Sequence, residues 1–284
     1  MNSEDVFTHV NREYYQLTGA EKKIADYVML HQQECQFMSI SQLSEEAEVA
    51  EATVSRFCRR LGYSGYNAFK LALAGSAGGR TMTNPLSGEV IPEDSVSDMC
   101  RKLYTNHVDA LTQTLELVRP EAVLEAAELL LRSDKVLCMG QGGSMILAQE
   151  AAHLFSTAKP NFFAIEDSHV QAVRAATLSE RDAVLYFSYS GATKDLVDAM
   201  RIVKSRGAGA ILITRFAHSP GAGYADVVLE CGSRESPLQA GSVAARMAQL
   251  YLLDVLFSEV CRRDIETTRA RRKQVAEALA DKHI

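Results

Sequence analysis

The chain has 284 residues, of which 47% are hydrophobic and 23% are charged, and its formal net charge is −6. This balance is typical of a folded globular protein, and the length allows one large domain or two smaller ones. No apolar run approaches the roughly 20 residues that span a bilayer, and the first residues lack the basic and apolar segments of a signal peptide. We therefore expect a cytoplasmic protein without a membrane partner. Since the net charge is negative, any nucleic acid must contact a local basic face.

The six cysteines are scattered along the chain, at Cys35, Cys58, Cys100, Cys138, Cys231 and Cys261. No two of them have the spacing of metal ligands, and their distribution is unlike a disulfide framework. We expect reduced, partly buried thiols, no bound metal and no cofactor.

Apolar residues recur at helical spacing in two short segments between Ser39 and Tyr63. A turn of about three residues joins the two segments, which is the pattern of a helix-turn-helix. Upstream of them, Thr18 and Glu21 have the spacing of a capping box, which predicts a helix over about 19–32.

The second helix of this pair has an apolar face made of Val54, Phe57, Cys58 and Leu61. Its opposite face carries hydroxyl and guanidinium groups, the donors that phosphates and guanine edges accept. Up to residue 75 the chain has seven basic and ten acidic residues, but beyond Glu51 this segment has four basic and no acidic ones. A solvated helix face is the alternative interpretation. We predict DNA contacts from Thr53, Ser55, Arg56, Arg59 and Arg60.

Gly, Ser and Pro are frequent over residues 75–98, where no hydrophobic period appears. Such a stretch predicts a linker and a domain boundary. The predicted parts are a helix-turn-helix domain (1–76), a linker (77–98), a second domain (99–262) and a C-terminal helical tail (263–284). The tail is rich in arginine, and both packing in a dimer and a second DNA contact stay open for it.

Short apolar runs alternate with helical patterns in the second domain. Because the runs are apolar throughout, they are typical of strands covered on both faces. The alternation predicts a parallel sheet with right-handed crossovers, preceded by two helices and closed by a helix over about 242–260. The predicted strands are 136–139, 162–165, 183–187, 210–213 and 227–230.

Two of these runs end in loops of small and hydroxyl-bearing residues, Gly140–Ser144 and Ser188–Thr193. Each loop opens a helical segment, where free backbone N–H groups and the helix dipole favour an anion. Two such loops that face one crevice predict a phosphate site. For each hydroxyl alone, a helix cap is the alternative interpretation.

Other chemistries fit these loops poorly. A dinucleotide fingerprint needs a glycine where Met145 stands, and a Walker loop needs a Gly-Lys-Ser/Thr sequence that is absent. Ser188 occupies the place of the first glycine of a nucleophile elbow, and no metal-ligand spacing appears.

Together these motifs resemble a known family. The spacing Gly140-x-Gly142-x-Ser144 followed by Ser188-x-Ser190-Gly191-x-Thr193 resembles the sugar isomerase (SIS) domain, which binds phosphosugars. Ala52-Thr53-Val54-x-Arg56-Phe57-Cys58-Arg59-x-Leu61-Gly62-Tyr63 looks like the helix-turn-helix of the RpiR family of bacterial transcription regulators. Ser242-x-x-x-Arg246-Met247-Ala248-Gln249-Leu250 resembles the closing helix of that family.

The resemblance implies an all-helical N-terminal domain followed by an α/β domain with a five-stranded parallel SIS sheet, flanked by helices. The implied strand order is the flavodoxin-like 2-1-3-4-5, in which ligands bind where strands one and three meet. The predicted phosphosugar site comprises Gly142, Gly143, Ser144, Ser188, Ser190, Gly191 and Thr193, with Asp167, His169 and Glu235 as further sugar contacts.

Two residues depart from the family pattern. Ala50 stands where the family commonly has a serine, so the second helix of the pair is expected to lack its N-cap hydroxyl. Glu48 occupies the turn position where glycine is favoured, which predicts a mildly strained left-handed residue.

We predict a transcription regulator that binds operator DNA and responds to a phosphorylated sugar, as a homodimer or homotetramer formed through SIS domains. No catalytic residue is assigned. The alternative is a phosphosugar isomerase or lyase, with Glu166, His169 and Glu235 as candidate bases. An RNA-binding switch is a third possibility, although the stacking aromatic residues typical of RNA platforms are absent.

Overall fold

The structure is a computed structural model that describes residues 6–32, 34–77, 90–233 and 242–280. The chain forms two compact units, which divide between Lys102 and Leu103. Most of the linker predicted over 77–98 lies outside the described ranges, so the predicted domain boundaries stay predictions.

The first unit consists of helices around one apolar core. The predicted capping box is present at the start of its second helix: the Thr18 hydroxyl accepts from the N–H of Glu21, and the Glu21 carboxylate accepts from the N–H of Thr18. Phe57 and Phe69 meet edge to face in the core, with ring centroids 5.7 Å apart. The helices are α1 (Val6–Glu13), α2 (Gly19–Leu30), α3 (Ile40–Glu46), α4 (Glu51–Arg60) and α5 (Tyr66–Ala77).

The second unit contains a five-stranded sheet in the order β2-β1-β3-β4-β5, and every neighbouring pair is parallel. This order confirms the sequence prediction. The strands are β1 (Lys135–Gly140), β2 (Phe162–Ala164), β3 (Asp182–Phe187), β4 (Gly209–Thr214) and β5 (Val227–Glu230). The helices are α6 (Val96–Leu117, which begins in the first unit), α7 (Pro120–Arg132), α8 (Gly143–Ser156), α9 (Ser168–Ala176), α10 (Lys194–Ser205), α11 (Val243–Arg263) and α12 (Ile265–Ala280).

Helices cover both faces of the sheet. On one face α7, α8 and α11 pack against alternate strand residues such as Leu185, and on the other α9 and α10 pack against residues such as Val184. Both of these strand residues are fully buried. The continuous apolar strands seen in the sequence follow from this double cover.

One apolar face in the second unit is open to solvent. Val108 and Leu115 of α6 lie on one side of the helix and are 39% and 62% exposed. The buried side of the helix consists instead of small residues such as Ala110 and Thr114. The Thr114 hydroxyl accepts from the N–H of Gly232 at 2.9 Å and donates to the carbonyl of Ala110 at 2.6 Å.

The arginines near the C-terminus contact their own unit. Arg262 and Arg263 pair with Glu259 at 2.8 Å each. Arg271 donates to the carbonyl of Ala158 at 2.8 Å, and Arg272 lies over the ring of Phe257. Arg271 and Arg272 thus pack α12 against its own unit. None of the helices in the described ranges is long and apolar enough to cross a membrane.

Candidate functional site

The two predicted loops leave neighbouring strands at the same edge of the sheet. Gly140, the last residue of β1, pairs in register with Phe187, the last residue of β3. Because parallel strands end at one edge, the loop after β1 (loop 1, 140–144) and the loop after β3 (loop 2, 188–193) lie side by side. This is the switch point of the sheet, since β2 and β4 lie on opposite sides of the β1–β3 pair.

Loop 1 brings its backbone close to the first turn of α8. A Cβ on Gly140 would lie 2.6 Å from the carbonyl oxygen of Ser144, so only glycine fits there. Gly142 precedes α8 with φ 54° and offers no side-chain cap. Backbone bonds close the start of α8 instead, since the N–H groups of Ser144 and Met145 donate to the carbonyls of Gln141 and Gly142 at 3.0 Å each.

Loop 2 is held by its own hydroxyls. The Ser188 hydroxyl accepts from the N–H of Gly191 at 3.2 Å, and the Ser190 hydroxyl accepts from the N–H of Ala192 at 3.3 Å. Thr193 is the N-cap residue of α10, but its side chain makes no capping bond. The helix-cap interpretation therefore does not account for the Thr193 hydroxyl.

Both the backbone conformation and the neighbouring atoms require glycine at position 191. Its φ is 61°, and an added Cβ would lie 2.0 Å from the hydroxyl of Ser219 and 3.0 Å from that of Thr214. The carbonyl of Gly191 accepts from the N–H of Gly221 at 2.8 Å. Loop 2 is thus packed directly on the loop that follows β4.

Two of the three predicted sugar contacts lie on the segment after β2. Asp167 is the N-cap of α9, and its carboxylate accepts from the N–H of Val170 at 2.9 Å, so the capping interpretation holds for this residue. His169 lies exposed in the first turn of α9. Glu235 lies outside the described residues.

A buried glutamine joins α9 to loop 1. Gln171 is 1% exposed, and its amide N–H₂ donates to the carbonyls of Gly140 at 3.1 Å and Ile165 at 2.7 Å. Its amide oxygen accepts from the hydroxyl of Tyr186 at 3.2 Å and from the amide of Gln141 at 2.9 Å. These bonds fix the ends of β1 and β2 relative to each other.

Arg246 is a cation at loop 1 that sequence reasoning did not assign to the site. It lies on α11, and a Cβ added to Gly143 would be 3.2 Å from its Nη1. The sequence contained Arg246 in a family-like motif, but no local pattern says that α11 passes the start of α8.

The helix-turn-helix has the predicted faces. Val54, Phe57 and Cys58 of α4 are fully buried, whereas Arg56 and Arg59 are exposed. Thr53 and Ser55 are partly exposed, and the Arg56 guanidinium donates to the Thr53 hydroxyl at 3.2 Å.

The start of α4 shows both expected departures. Ala50 is the N-cap residue and makes no side-chain capping bond. Glu48 has φ 50°, which confirms a left-handed residue in the turn.

Arg60, the fifth predicted DNA contact, is bonded within its own unit. Its Nη1 donates to the Glu21 carboxylate at 3.1 Å, and its Nη2 donates to the carbonyl of Gln16. A helical wheel places Arg60 beside the outward face but gives no information on these partners from α2 and the turn before it.

Five of the six cysteines are buried, and Cys100 is exposed. Burial raises the pKa of Cys35 and of Cys58 to about 12, and it also raises the pKa of Cys138. No group of three or more His, Cys, Asp or Glu residues in the described ranges has the arrangement to hold a metal ion.

Known proteins share both halves of the chain. Residues 5–78 match the helix-turn-helix domain of the rpiR family, and residues 129–259 match the SIS domain. An uncharacterised HTH-type transcriptional regulator of Caldanaerobacter subterraneus subsp. tengcongensis is 32% identical over 253 residues, which is 89% of each chain. The chain belongs to the rpiR family of helix-turn-helix transcriptional regulators.

Two other proteins extend the comparison. The bifunctional protein glk of Burkholderia orbicola is 32% identical over 279 residues, which is 98% of this chain and 43% of that protein. The structure of Vibrio vulnificus NanR complexed with ManNAc-6P has a TM-score of 0.87 and 24% identity, and the match covers 98% of this chain and 99% of that one. At this identity the likeness establishes a shared fold.

Proposed function

We propose that this rpiR-family regulator binds operator DNA through α4 and is controlled by a phosphorylated sugar held between loop 1 and loop 2. The observation that carries the proposal is the pair of loops at adjacent ends of β1 and β3, each opening a helix that has no side-chain cap. Free N–H groups at helix starts bind phosphate oxygens, and the helix dipoles favour negative charge.

The side chains around the two loops have complementary roles in this proposal. Hydroxyls of Ser144, Ser188, Ser190 and Thr193 donate to phosphate oxygens. Arg246 adds a guanidinium beside Gly143, which suits a dianion. The exposed start of α9, with His169, provides contacts to sugar hydroxyls. That NanR was solved with a phosphosugar supports this class of effector.

The DNA-binding part of the proposal depends on the outward face of α4. Arg56 and Arg59 are exposed there, beside the hydroxyls of Thr53 and Ser55. Guanidinium groups bind phosphates and guanine edges, and hydroxyls bind phosphates. Because its target is chromosomal DNA, we place the protein in the cytoplasm.

The assembly part of the proposal depends on α6. Contiguous exposed apolar residues of this kind commonly mark an interface, and Tyr104, 70% exposed, extends the stripe of Val108 and Leu115. A homodimer or homotetramer through the second unit would present paired α4 helices to two half-sites. Effector binding then shifts the population between DNA-competent and DNA-incompetent arrangements.

A thermal-shift screen of the full chain against phosphosugars and their unphosphorylated counterparts tests the effector site. At 100 times its dissociation constant a ligand stabilises the folded state by about 2.7 kcal/mol. We expect a shift for a phosphosugar, its loss in Ser190→Ala, and its retention in Ser205→Ala. The control hydroxyl lies at the far end of α10, where it donates to the carbonyl of Ile202. A shift that Ser190→Ala leaves intact would contradict the site.

Selection of an operator from random duplexes tests the DNA-binding face. Arg56→Ala should weaken operator binding and leave the phosphosugar shift unchanged in the absence of DNA. Equal loss of both would point to misfolding. Turnover of a phosphosugar by the full chain would favour the isomerase or lyase alternative.

A further inference from the structure

The last arginine of α4 differs from its neighbours in what it contacts. Arg56 and Arg59 are exposed on the outward face, whereas Arg60 bridges to the first unit's α2. One nitrogen of its guanidinium holds the Glu21 carboxylate, and another holds the carbonyl of Gln16.

Glu21 is buried, and its carboxylate already accepts hydrogen bonds from Thr18. Its side chain is 10% exposed. One carboxylate oxygen, Oε2, accepts from the N–H and the hydroxyl of Thr18 at 2.8 Å each, and from Arg60 at 3.1 Å. Burial alone would raise the pKa of Glu21, but the bonds from Thr18 and the charge of Arg60 lower it below its ordinary value.

The pair therefore joins two helices that the fold must hold at a fixed angle. The Glu21 carboxylate completes the capping box of α2, and Arg60 occupies the last turn of α4. Removing the guanidinium would leave the buried Glu21 carboxylate without the Arg60 cation, and this would lower the stability of the fold. Moving it to a DNA phosphate would have the same effect.

We propose that Arg60 is a positioning residue, which fixes the C-terminal end of α4 against the start of α2 and makes no contact with DNA. The inference rests on the proposed function, since it assumes that α4 binds DNA. It replaces the sequence-based prediction that Arg60 is one of the DNA contacts.

Salt dependence separates a positioning arginine from a phosphate contact. The logarithm of the binding constant falls linearly with the logarithm of salt concentration, with a slope of about −0.9 for each phosphate contact. The probe is a mixed-sequence duplex of a few helical turns, titrated with the full chain between about 50 and 200 mM NaCl.

The two neighbouring arginines are then matched variants. Arg59→Met should reduce the magnitude of the slope by about 1 for each chain bound. Arg60→Met should weaken binding by about fivefold or more at fixed salt, within the range for coupled contacts, and leave the slope unchanged. Circular dichroism at the assay temperature verifies that each variant is folded.

Two further variants give results that a DNA contact or a general loss of stability would not produce. Arg60→Lys keeps the charge, but its single nitrogen lacks the fork whose two nitrogens reach Glu21 and Gln16 separately, so we expect it to bind DNA almost as weakly as Arg60→Met. Glu21→Gln removes a negative charge, which by itself strengthens binding to a polyanion. The positioning role predicts weaker binding instead, and no further loss when Glu21→Gln and Arg60→Met are combined.

Each outcome decides the inference. A smaller slope in Arg60→Met, full affinity in Arg60→Lys, or stronger binding by Glu21→Gln would overturn it. A slope that neither Arg59→Met nor Arg60→Met changes would overturn the proposed DNA face of α4, and with it the assumption on which the inference rests.

Discussion

Left-handed backbone occurs in both units, but different residues adopt it. At loops 1 and 2 it falls on glycine, with φ 54° at Gly142 and 61° at Gly191, whereas in the first unit it falls on Gly62 with φ 82° and on Glu48 with φ 50°. A Cβ on Gly191 would overlap Ser219, but nothing lies within 4 Å of a Cβ on Gly142. The side chain of Glu48 is 80% exposed and pairs with Lys23 at 3.0 Å. Neighbouring atoms thus require glycine at position 191, whereas at Glu48, as at Gly142, only the backbone conformation disfavours a side chain.

The helices also differ in whether a side chain caps their N-terminus. α2, α3 and α9 begin with side-chain caps from Thr18, Ser39 and Asp167, and α7 begins with a proline. The helices that follow the two loops, α8 and α10, and the outward-facing α4 have no side-chain cap. Side-chain caps are thus absent at the three helices for which we propose an anionic partner, a phosphosugar or DNA.

The largest effect is expected from Gly191→Ala, with Gly142→Ala as its matched control. Both substitutions place a side chain at positive φ, which costs about 1–3 kcal/mol. Only Gly191→Ala also forces overlap with Ser219, since nothing lies within 4 Å of a Cβ on Gly142. Overpacking adds about 1–3 kcal/mol. Calorimetry should therefore show a larger fall in Tm for Gly191→Ala. Equal falls would mean that Ser219 moves away without cost.

The sequence predicted these loops and the strands before them because both depend on local pattern. Apolar runs marked the buried strands, and small residues marked the loops. The missing cap at Ala50 and the left-handed Glu48 were also predicted, because both residues depart from the pattern of the family that the chain resembles. Arg246 beside Gly143 was not predicted, because a hundred residues separate them and only the packing of α11 brings them together.

The pairing of Arg60 was missed for a similar reason. It lies 39 residues from Glu21, and helical periodicity assigns a residue to a face without naming its partner on another helix. Glu21 itself was assigned correctly to the capping box of α2. The local role of Glu21, in the capping box, was therefore predictable from the sequence, whereas its pair with Arg60 is seen only in the structure.

A smaller effect of opposite sign is expected from Ala50→Ser. The serine hydroxyl can accept from a free N–H at the start of α4, which is worth about 0.5–2 kcal/mol. Tm should rise while DNA binding persists. Ala52→Ser is the control, because it introduces the same side chain inside α4, where serine is slightly unfavourable. A lower Tm in Ala50→Ser would contradict the cap position assigned to residue 50.

The smallest effect is expected from Glu48→Gly, since it relieves the strained backbone but removes the ion pair with Lys23. Tm should rise slightly in Glu48→Gly and fall in Glu48→Ala, which keeps the strain and also loses the pair. Calorimetry of the two variants and of the wild type measures the contribution of the backbone strain and that of the ion pair with Lys23. Identical Tm values for Glu48→Gly and Glu48→Ala would mean that φ 50° carries no strain in this turn.

The pH dependence of Glu48→Ala separates the ion pair from the backbone. The hydrogen bond and the charge of Lys23 lower the pKa of Glu48 below its ordinary value. A carboxylate with a lowered folded-state pKa stabilises the fold at neutral pH, and this contribution is lost as the pH falls through that pKa. The Tm deficit of Glu48→Ala relative to wild type should therefore shrink in acid. The gain of Glu48→Gly should grow there, because only the strain term remains. A deficit that is constant with pH would assign no stabilisation to the pair with Lys23.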